Sequence, residues 1–202
     1  HGGIDDFGLD HDGGLWTLGE AGLTRLRLPS PWTVYDQRHG LVNRVHDSAW
    51  HDGSLWVASL GLWRASQAAQ GGVPRFEVQP WVDARLEVFA LHGSDAGLLV
   101  GDRQGLLVLD SGAKQPRRLV GPQAGAGIFV LLPSAHDPTR MLALGGRDAW
   151  WLAQRDGRWQ RLAHWPSNVA AIDGVVQTAA GEIWVGDERG GAHRWRFDPH
   201  TG

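Results

Sequence analysis

The 202-residue sequence predicts an all-β protein built from repeats. Apolar anchor residues recur at nearly constant spacing, each inside a short apolar run, and amphipathic segments of helix length are absent. The anchors are Trp16, Trp56, Leu99, Leu142 and Trp184, which lie 40, 43, 43 and 42 residues apart. A period of this length occurs both in helical arrays and in arrays of small β-sheets. The local chemistry of the repeat therefore has to decide between them.

The residues around each anchor favour strands over helices. Each run is bounded by Gly, Asp or Ser, which is the composition of turns between short strands. The chain also holds 29 glycines, a residue that destabilises helix interiors. The repeats therefore predict a β-propeller with five four-stranded blades. Their expected boundaries are 1–40, 41–83, 84–126, 127–168 and 169–202.

The expected strands follow one order in every repeat. A first strand precedes the anchor, and these first strands are expected at residues 4–9, 44–49, 87–92, 128–132 and 171–178. The anchor strand and a third strand follow. A fourth, outer strand is expected at residues 32–35, 75–78, 117–120 and 159–164. The fifth repeat has no outer strand, so we expect the chain to be part of a larger propeller. Open sheet edges would then allow self-association.

Composition excludes several classes of partner. The net charge is −3 and the isoelectric point is about 6.4, which gives no basic surface for nucleic acid. Contact with a membrane would require segments outside this sequence, because no apolar run approaches the length of a membrane helix. The chain contains no cysteine, so disulfides and thiol catalysis are excluded.

No residue pattern predicts a catalytic, metal or cofactor site. The pairs His11-Asp12, His46-Asp47 and His51-Asp52 lie in or near turns of successive repeats, and they lack the convergent spacing of a metal site. Asp12 and Asp52 are expected to bind their own turn backbone. A triad could be assembled on paper from Ser48 or Ser59 with His92 and Asp102, yet neither serine lies in a nucleophile elbow.

The loops between the second and third strands are the predicted ligand or partner surface. In propeller topology these loops share a face with the connections between blades, and binding residues concentrate on loops held by a rigid scaffold. The candidate residues are Glu20, Asp102, Arg103, Arg147, Asp148, Asp187, Glu188 and Arg189. An alternative interpretation is that these charges are simply hydrated. The anchors are expected to pack between neighbouring blades.

The repeat resembles the two-component-regulator propeller repeat. The resemblance rests on Asp12-Gly13-Gly14-Leu15-Trp16, on Asp52-Gly53-Ser54-Leu55-Trp56-Val57 and on Gly181-Glu182-Ile183-Trp184-Val185-Gly186. Repeats three and four keep the apolar frame with Leu99 and Leu142 in place of the anchor Trp. The resemblance implies the periplasmic or extracellular, non-catalytic sensor of a bacterial histidine kinase or diguanylate cyclase, with an unknown small molecule or protein as its ligand. It also implies that the larger propeller has seven blades.

Two other functions stay open. A generic propeller interaction module would have the same repeats without any link to signalling. Streptogramin lyases also carry repeats of related type, but no anchor here is followed by their Phe-Thr-Glu signature. A carbohydrate-active propeller is the remaining alternative, since Trp150, Trp151, Trp159 and Trp165 lie off the anchor slot, although local packing explains them more simply.

Overall fold

The computed structural model describes residues 4–9, 14–19, 22–27, 35–41, 43–66, 74–121, 127–167, 169 and 172–196. The chain divides into two compact units, His1–Asp36 and Gln37–Gly202. The first unit contains sheet 1, a three-stranded antiparallel sheet in the order β1-β2-β3. Its strands are β1 (Ile4–Leu9), β2 (Gly14–Gly19) and β3 (Gly22–Arg27).

The second unit contains sheets 2 to 5, all antiparallel and each formed from consecutive strands. Sheet 2 consists of β4 (Asp47–His51), β5 (Ser54–Ser59), β6 (Gly61–Ala65) and β7 (Phe76–Val78). Sheet 3 consists of β8 (Val88–Ser94), β9 (Gly97–Asp102), β10 (Gly105–Asp110) and β11 (Arg117–Val120). Sheet 4 consists of β12 (Ile128–Pro133), β13 (Arg140–Gly145), β14 (Asp148–Arg155) and β15 (Arg158–Pro166). Sheet 5 consists of β16 (Ile172–Gln177), β17 (Glu182–Asp187) and β18 (Ala192–Arg196).

The predicted all-β fold is confirmed, and the five sheets follow the five predicted repeats. The first strands lie close to their expected positions, although β4 begins at Asp47 rather than at residue 44. Tyr35, expected in an outer strand, lies outside any strand, and residues 32–34 lie outside the described residues. The described helical structure is one 3₁₀ turn, Gln37–His39, and no described helix has the length and apolar character to cross a membrane.

The first strands of sheets 2 to 5 contact one another in chain order, β4 with β8, β8 with β12, and β12 with β16. We call these four the inner strands. Their close approach requires small residues at some positions. An added Cβ at Gly93 in β8 would overlap the carbonyl oxygen of Trp50 in β4, and one at Gly101 would lie 2.7 Å from the carbonyl oxygen of Ile128 in β12.

Neighbouring sheets share their hydrophobic cores. Trp56 of sheet 2 is 2% exposed in a cluster that includes Val88 and Val100 of sheet 3. Leu99 of sheet 3 lies in a cluster with Met141 and Trp159 of sheet 4. The side chains of a strand alternate between its two faces, so a strand that is covered on both faces has a continuous apolar run.

Leu142 continues the pattern from sheet 4 to sheet 5. It is fully buried with Ile183 and Val185 of β17. The anchor of sheet 5 differs, because Trp184 is 38% exposed and its cross-strand neighbour Val176 is 58% exposed. Arg194, opposite Trp184 on β18, lies over the indole with its Cζ 5.7 Å from the ring centroid. This face of sheet 5 is therefore only partly covered by the described residues.

The two tryptophan anchors allow a matched test of this difference. Trp56→Leu is expected to lower the free energy of unfolding by about 1–3 kcal/mol, because it leaves a cavity between two sheets. Trp184→Leu, the same substitution at the same strand position, is expected to cost less than about 1 kcal/mol. Urea unfolding of both variants measures the difference. Equal losses would show that the face carrying Trp184 is covered.

Candidate functional site

The predicted loop residues that the structure describes lie in or beside the turns between the second and third strands of sheets 3, 4 and 5, and some of them stabilise their own turns. In sheet 5, Asp187 Oδ1 accepts hydrogen bonds from the backbone N–H groups of Arg189, at 2.9 Å, and of Gly191, at 3.0 Å. Its Oδ2 lies 2.7 Å from Nε2 of His193. The His193 hydrogen bond, helped by the two backbone donors, holds the pKa of Asp187 below its usual range. Glu188 is exposed in the same turn.

Asp102 has the equivalent place in sheet 3, but its carboxylate is fully buried. Its Oδ1 accepts a hydrogen bond from the backbone N–H of Gln104 at 2.6 Å. Its Oδ2 has no hydrogen-bond partner, although the Arg118 guanidinium lies 3.6 Å away. Burial raises the pKa of Asp102, and the positive charge of Arg118 opposes that shift only in part.

The loop residues of sheet 4, Arg147 and Asp148, contact the outer strand β15 and the residue that follows it. Asp148 Oδ1 lies 2.8 Å from Nε2 of His164 on β15. The carbonyl oxygen of Arg147 accepts a hydrogen bond from the N–H of Ser167. Glu20 of sheet 1 lies outside the described residues. The described contacts therefore do not join these predicted residues into one site.

Arg103 is the exception, because it reaches from its turn to the inner strands. Its Nε donates to Glu87 Oε2 at 3.0 Å, and a second N–H of the guanidinium binds the same oxygen. Its Cζ lies 5.5 Å from the centroid of the Phe89 ring, which is a cation–π distance. Glu87 directly precedes β8, where it forms a bridge with Leu60 of sheet 2.

A β-bulge recurs near the start of the first strands. Phe89 and Phe129 are the extra residues in β8 and β12, because the residues on either side of each pair with consecutive residues of the next strand. Asp173 and Asp5 are the extra residues of β16 and β1. A bulge changes the direction of the side chain it carries, and bulges are over-represented next to functional sites.

His46 takes the corresponding position in sheet 2. The residue after it, Asp47, pairs with Ala58, two residues beyond the anchor Trp56. In the same way Ala90, after Phe89, pairs with Gly101, two residues beyond Leu99.

The side chains at these positions contact one another across three sheets. The rings of His46 and Phe89 have centroids 5.4 Å apart, and those of Phe89 and Phe129 are 4.8 Å apart, both edge to face. Glu87 Oε1 lies 3.4 Å from His46 Nε2. We call His46, Glu87, Phe89, Arg103 and Phe129 the inner-strand cluster.

The inner-strand cluster combines opposite charges with aromatic rings. Hydrogen bonding by Arg103, with smaller contributions from the charges of Arg103 and His46, holds the pKa of Glu87 below its usual range, so the carboxylate is ionised near neutral pH. The Arg103 side chain is 63% exposed and is the part of the cluster most accessible to a ligand. The five residues include no hydroxyl or thiol side chain. Their chemistry suits noncovalent recognition of a polar ligand.

Sequence reasoning identified Arg103 but missed its partners. The signal was a lack of alternation at the start of β8, where Val88, Phe89, Ala90 and Leu91 are four consecutive apolar residues. In the part of the chain that the structure describes, no three His, Asp or Glu side chains lie close enough together to hold a metal ion.

Comparison with known proteins gives matches among solved structures only. No protein-family model matches the chain, and no curated protein matches it. Two structures of the extracellular domain of BT4673 from B. thetaiotaomicron are similar, one described as a hybrid two component system and the other as a one component system. They are 18% and 19% identical in sequence, with TM-scores of 0.59 and 0.60. Each match covers 96% of this chain and 27% of that domain, so the chain spans about a quarter of its length.

Other propellers are similar to a comparable degree. The WD40 β-propeller domain of Doa1 is 13% identical with a TM-score of 0.56, and the match covers 98% of this chain and 65% of that one. A protein from Bacteroides uniformis named as a 6-phosphogluconolactonase is 10% identical with a TM-score of 0.57, covering 97% and 67%. At these identities the comparisons show the β-propeller fold alone.

The buried carboxylate gives a pH prediction. Because burial raises the pKa of Asp102 in the folded state, its contribution to stability is present below the unfolded pKa of about 3.9 and is lost as pH rises through the raised value. Asp102→Asn keeps an acceptor for Gln104 and cannot ionise. We expect its melting temperature to exceed that of the parent at about pH 7 and to converge with it near about pH 4.

Asp187→Asn is the control with the opposite sign. The lowered pKa of Asp187 contributes stability above the unfolded value, and that contribution is lost on acidification. This variant should therefore be less stable than the parent at neutral pH, with a deficit that shrinks in acid. Thermal unfolding followed by circular dichroism measures both. An Asp102→Asn variant that is less stable by the same amount at every pH would contradict the assignment.

Proposed function

We propose that the chain is part of the extracytoplasmic sensing propeller of a membrane-anchored bacterial signalling receptor. The observation that carries this proposal is the inner-strand cluster. Bulges in consecutive sheets bring aromatic side chains together, and Arg103 joins them to a loop with most of its side chain exposed. Such a cluster on a rigid scaffold binds a small molecule or protein, and in this proposal the segment itself performs no catalysis.

The similar structures support the signalling context. The BT4673 domain is extracellular and is several times longer than this chain. It is described in one structure as part of a hybrid two component system and in the other as part of a one component system. Together with the repeat motif, this supports membership of the two-component-regulator propeller family and a place within a larger, seven-bladed ring. Reading the coding sequence on either side of the segment tests this directly. A transmembrane helix followed by a kinase or cyclase domain supports a receptor, and the absence of both contradicts it.

A generic interaction module is the second candidate. The similarity to the WD40 domain of Doa1 favours it, because that domain matches nearly the whole chain with a comparable TM-score. Propellers of one shape serve many functions, so the flanking sequence and the cluster must discriminate between the two.

A receptor assay tests the role of the cluster. Arg103→Ala in the full-length receptor removes the exposed cation and its contacts with Glu87 and Phe89, so it should raise the half-maximal stimulus concentration by about tenfold or more. Output is measured with a reporter gene, and receptor abundance with an immunoblot. Arg158→Ala is the control, since Arg158 is exposed at the start of β15, away from the cluster. An unchanged response in Arg103→Ala would refute the proposed role.

Self-association of the isolated chain is a further part of this proposal. β18 pairs only with β17 among the described residues, so its outer edge offers unpaired backbone groups to another strand. Sedimentation velocity should show a mass that rises with protein concentration. Replacing Arg194 with Pro should suppress the effect, because the bond from Asp187 N–H to the Gly191 carbonyl sets the alternation along β18 and directs the N–H of Arg194 to the open edge. A purely monomeric mass at the highest soluble concentration would contradict self-association.

A further inference from the structure

A cavity of about 360 Å³ lies between sheets 4 and 5, at the opposite end of the inner strands from the inner-strand cluster. One wall is the loop between β12 and β13, residues 134–139, and the other is the turn between β16 and β17. The corresponding connection in sheets 2 and 3 has only two residues. The longer loop of sheet 4 forms one wall of this cavity, and the cavity volume is within the range of small-molecule sites.

The loop is held in place by its own polar side chains. Ser134 Oγ accepts hydrogen bonds from the backbone N–H groups of His136 and Asp137, both at 3.3 Å. Asp137 Oδ1 accepts from the backbone N–H of Thr139 at 2.9 Å and from its hydroxyl at 2.6 Å, and Oδ2 lies 3.2 Å from Nε of Arg140. Both carboxylate oxygens of Asp137 are thus occupied within the loop. The Thr139 hydrogen bonds and the Arg140 charge hold its pKa below the usual range.

Gln177 of sheet 5 binds the loop through its side-chain oxygen. This contact leaves the amide nitrogen of Gln177 as the atom that can bind a ligand. Its Oε1 accepts the backbone N–H of Ala135 at 2.6 Å. The backbone N–H can only donate, so this contact assigns the oxygen to the loop and leaves the amide NH₂ on the other side. No acceptor for that NH₂ is found among the described residues.

The remaining polar groups of the cavity are also donors. The exposed imidazole of His136 has no side-chain partner in the described part of the chain, and a neutral imidazole carries one N–H. The guanidinium of Arg140 is a cation in the lining, and because its Nε lies 3.2 Å from Asp137 Oδ2, a ligand would share this cation with Asp137. The apolar part of the wall is Trp151, which is 5% exposed, together with Ala180.

We propose that this cavity binds a small organic monocarboxylate with a flat apolar body. The carboxylate oxygens would accept from the Gln177 amide and the His136 imidazole beside the Arg140 charge, and the apolar body would lie against Trp151 and Ala180. A sugar fits less well, because its hydroxyl groups donate as well as accept and the one carboxylate in the wall already has partners on both oxygens.

The cavity at the corresponding place between sheets 2 and 3 differs in charge, because the lining between sheets 4 and 5 pairs Asp137 with Arg140. It also has a volume of about 360 Å³, but Asp52 and Asp95 line it and no Arg or Lys does. Its charge disfavours a carboxylate ligand. The proposal is therefore specific to the cavity between sheets 4 and 5.

Binding of phenylacetate and indole-3-acetate to the purified chain tests the proposal. Isothermal titration calorimetry should give a dissociation constant of about 1 mM or tighter for at least one of them. The neutral isostere 2-phenylacetamide should bind at least about tenfold more weakly, because it presents no charge to Arg140. No binding of either acid at that concentration, or equal binding of acid and amide, overturns the proposal.

Two variants with matched controls locate the site. Ala180→Phe places a ring in the cavity and should weaken binding by about tenfold or more. Ala113→Phe makes the same change in an exposed turn of sheet 3 and should leave binding unchanged. Unaltered binding by Ala180→Phe, in a protein with parental melting temperature, overturns the assignment to this cavity.

The cavity and the inner-strand cluster can fail separately. Arg103→Ala should leave carboxylate binding unchanged, since Arg103 does not line this cavity. A receptor that loses its response in Arg103→Ala while carboxylate binding is absent would support the sensing role and refute the cavity. Carboxylate binding by the purified chain, together with an unaffected response in the Arg103→Ala receptor, would support the cavity and refute the sensing role of the cluster.

Discussion

Burial of sheet faces against neighbouring sheets is the constraint on which the rest of the second unit depends. A small antiparallel sheet with two apolar faces cannot remove both of them from water by itself. Trp56, Leu99 and Leu142 show the solution, since each is buried in a cluster that includes residues of the following sheet. Stability therefore resides between sheets more than within them, as in other repeat proteins.

The same packing creates both candidate sites. Clusters between sheets bring the inner strands into contact, and that contact places the bulge residues Phe89 and Phe129 against each other. It also sets the loop after β12 beside the turn after β16, where Gln177 closes the gap by accepting the N–H of Ala135. Neither site is formed by one sheet, so neither would survive separation of its sheets.

Spacing and turn chemistry predicted the fold because they are local properties of the chain. The anchors and the Asp-Gly turns recur at fixed intervals, and strands such as Arg117–Val120 lie where they were expected. The sites were harder to predict, because a bulge depends on pairing between two strands. Phe89 reads as one more apolar residue until its register with β9 is known.

The burial of Asp102 and the presence of the cavity between sheets 4 and 5 could not be predicted from the sequence either. Asp102 and Asp187 have the same local motif, yet one carboxylate is buried beside Arg118 and the other is bound by His193. That difference comes from the third strand and its neighbours, which a turn motif does not contain. The loop at residues 134–139 is held by Gln177 of the next repeat, more than 40 residues away, and such a contact is not legible in the local sequence.

The recurring bulge separates the specification of the fold from the choice of side chain. The extra residue pairs with nothing in the adjacent strand, so exchanging it leaves the ladder and the buried faces in register. The five corresponding positions are Asp5, His46, Phe89, Phe129 and Asp173. In the sequence these positions hold acidic, imidazole and aromatic residues. A lineage, or a protein engineer, can therefore vary the side chains at these positions one sheet at a time while the hydrophobic cores between sheets stay unaltered.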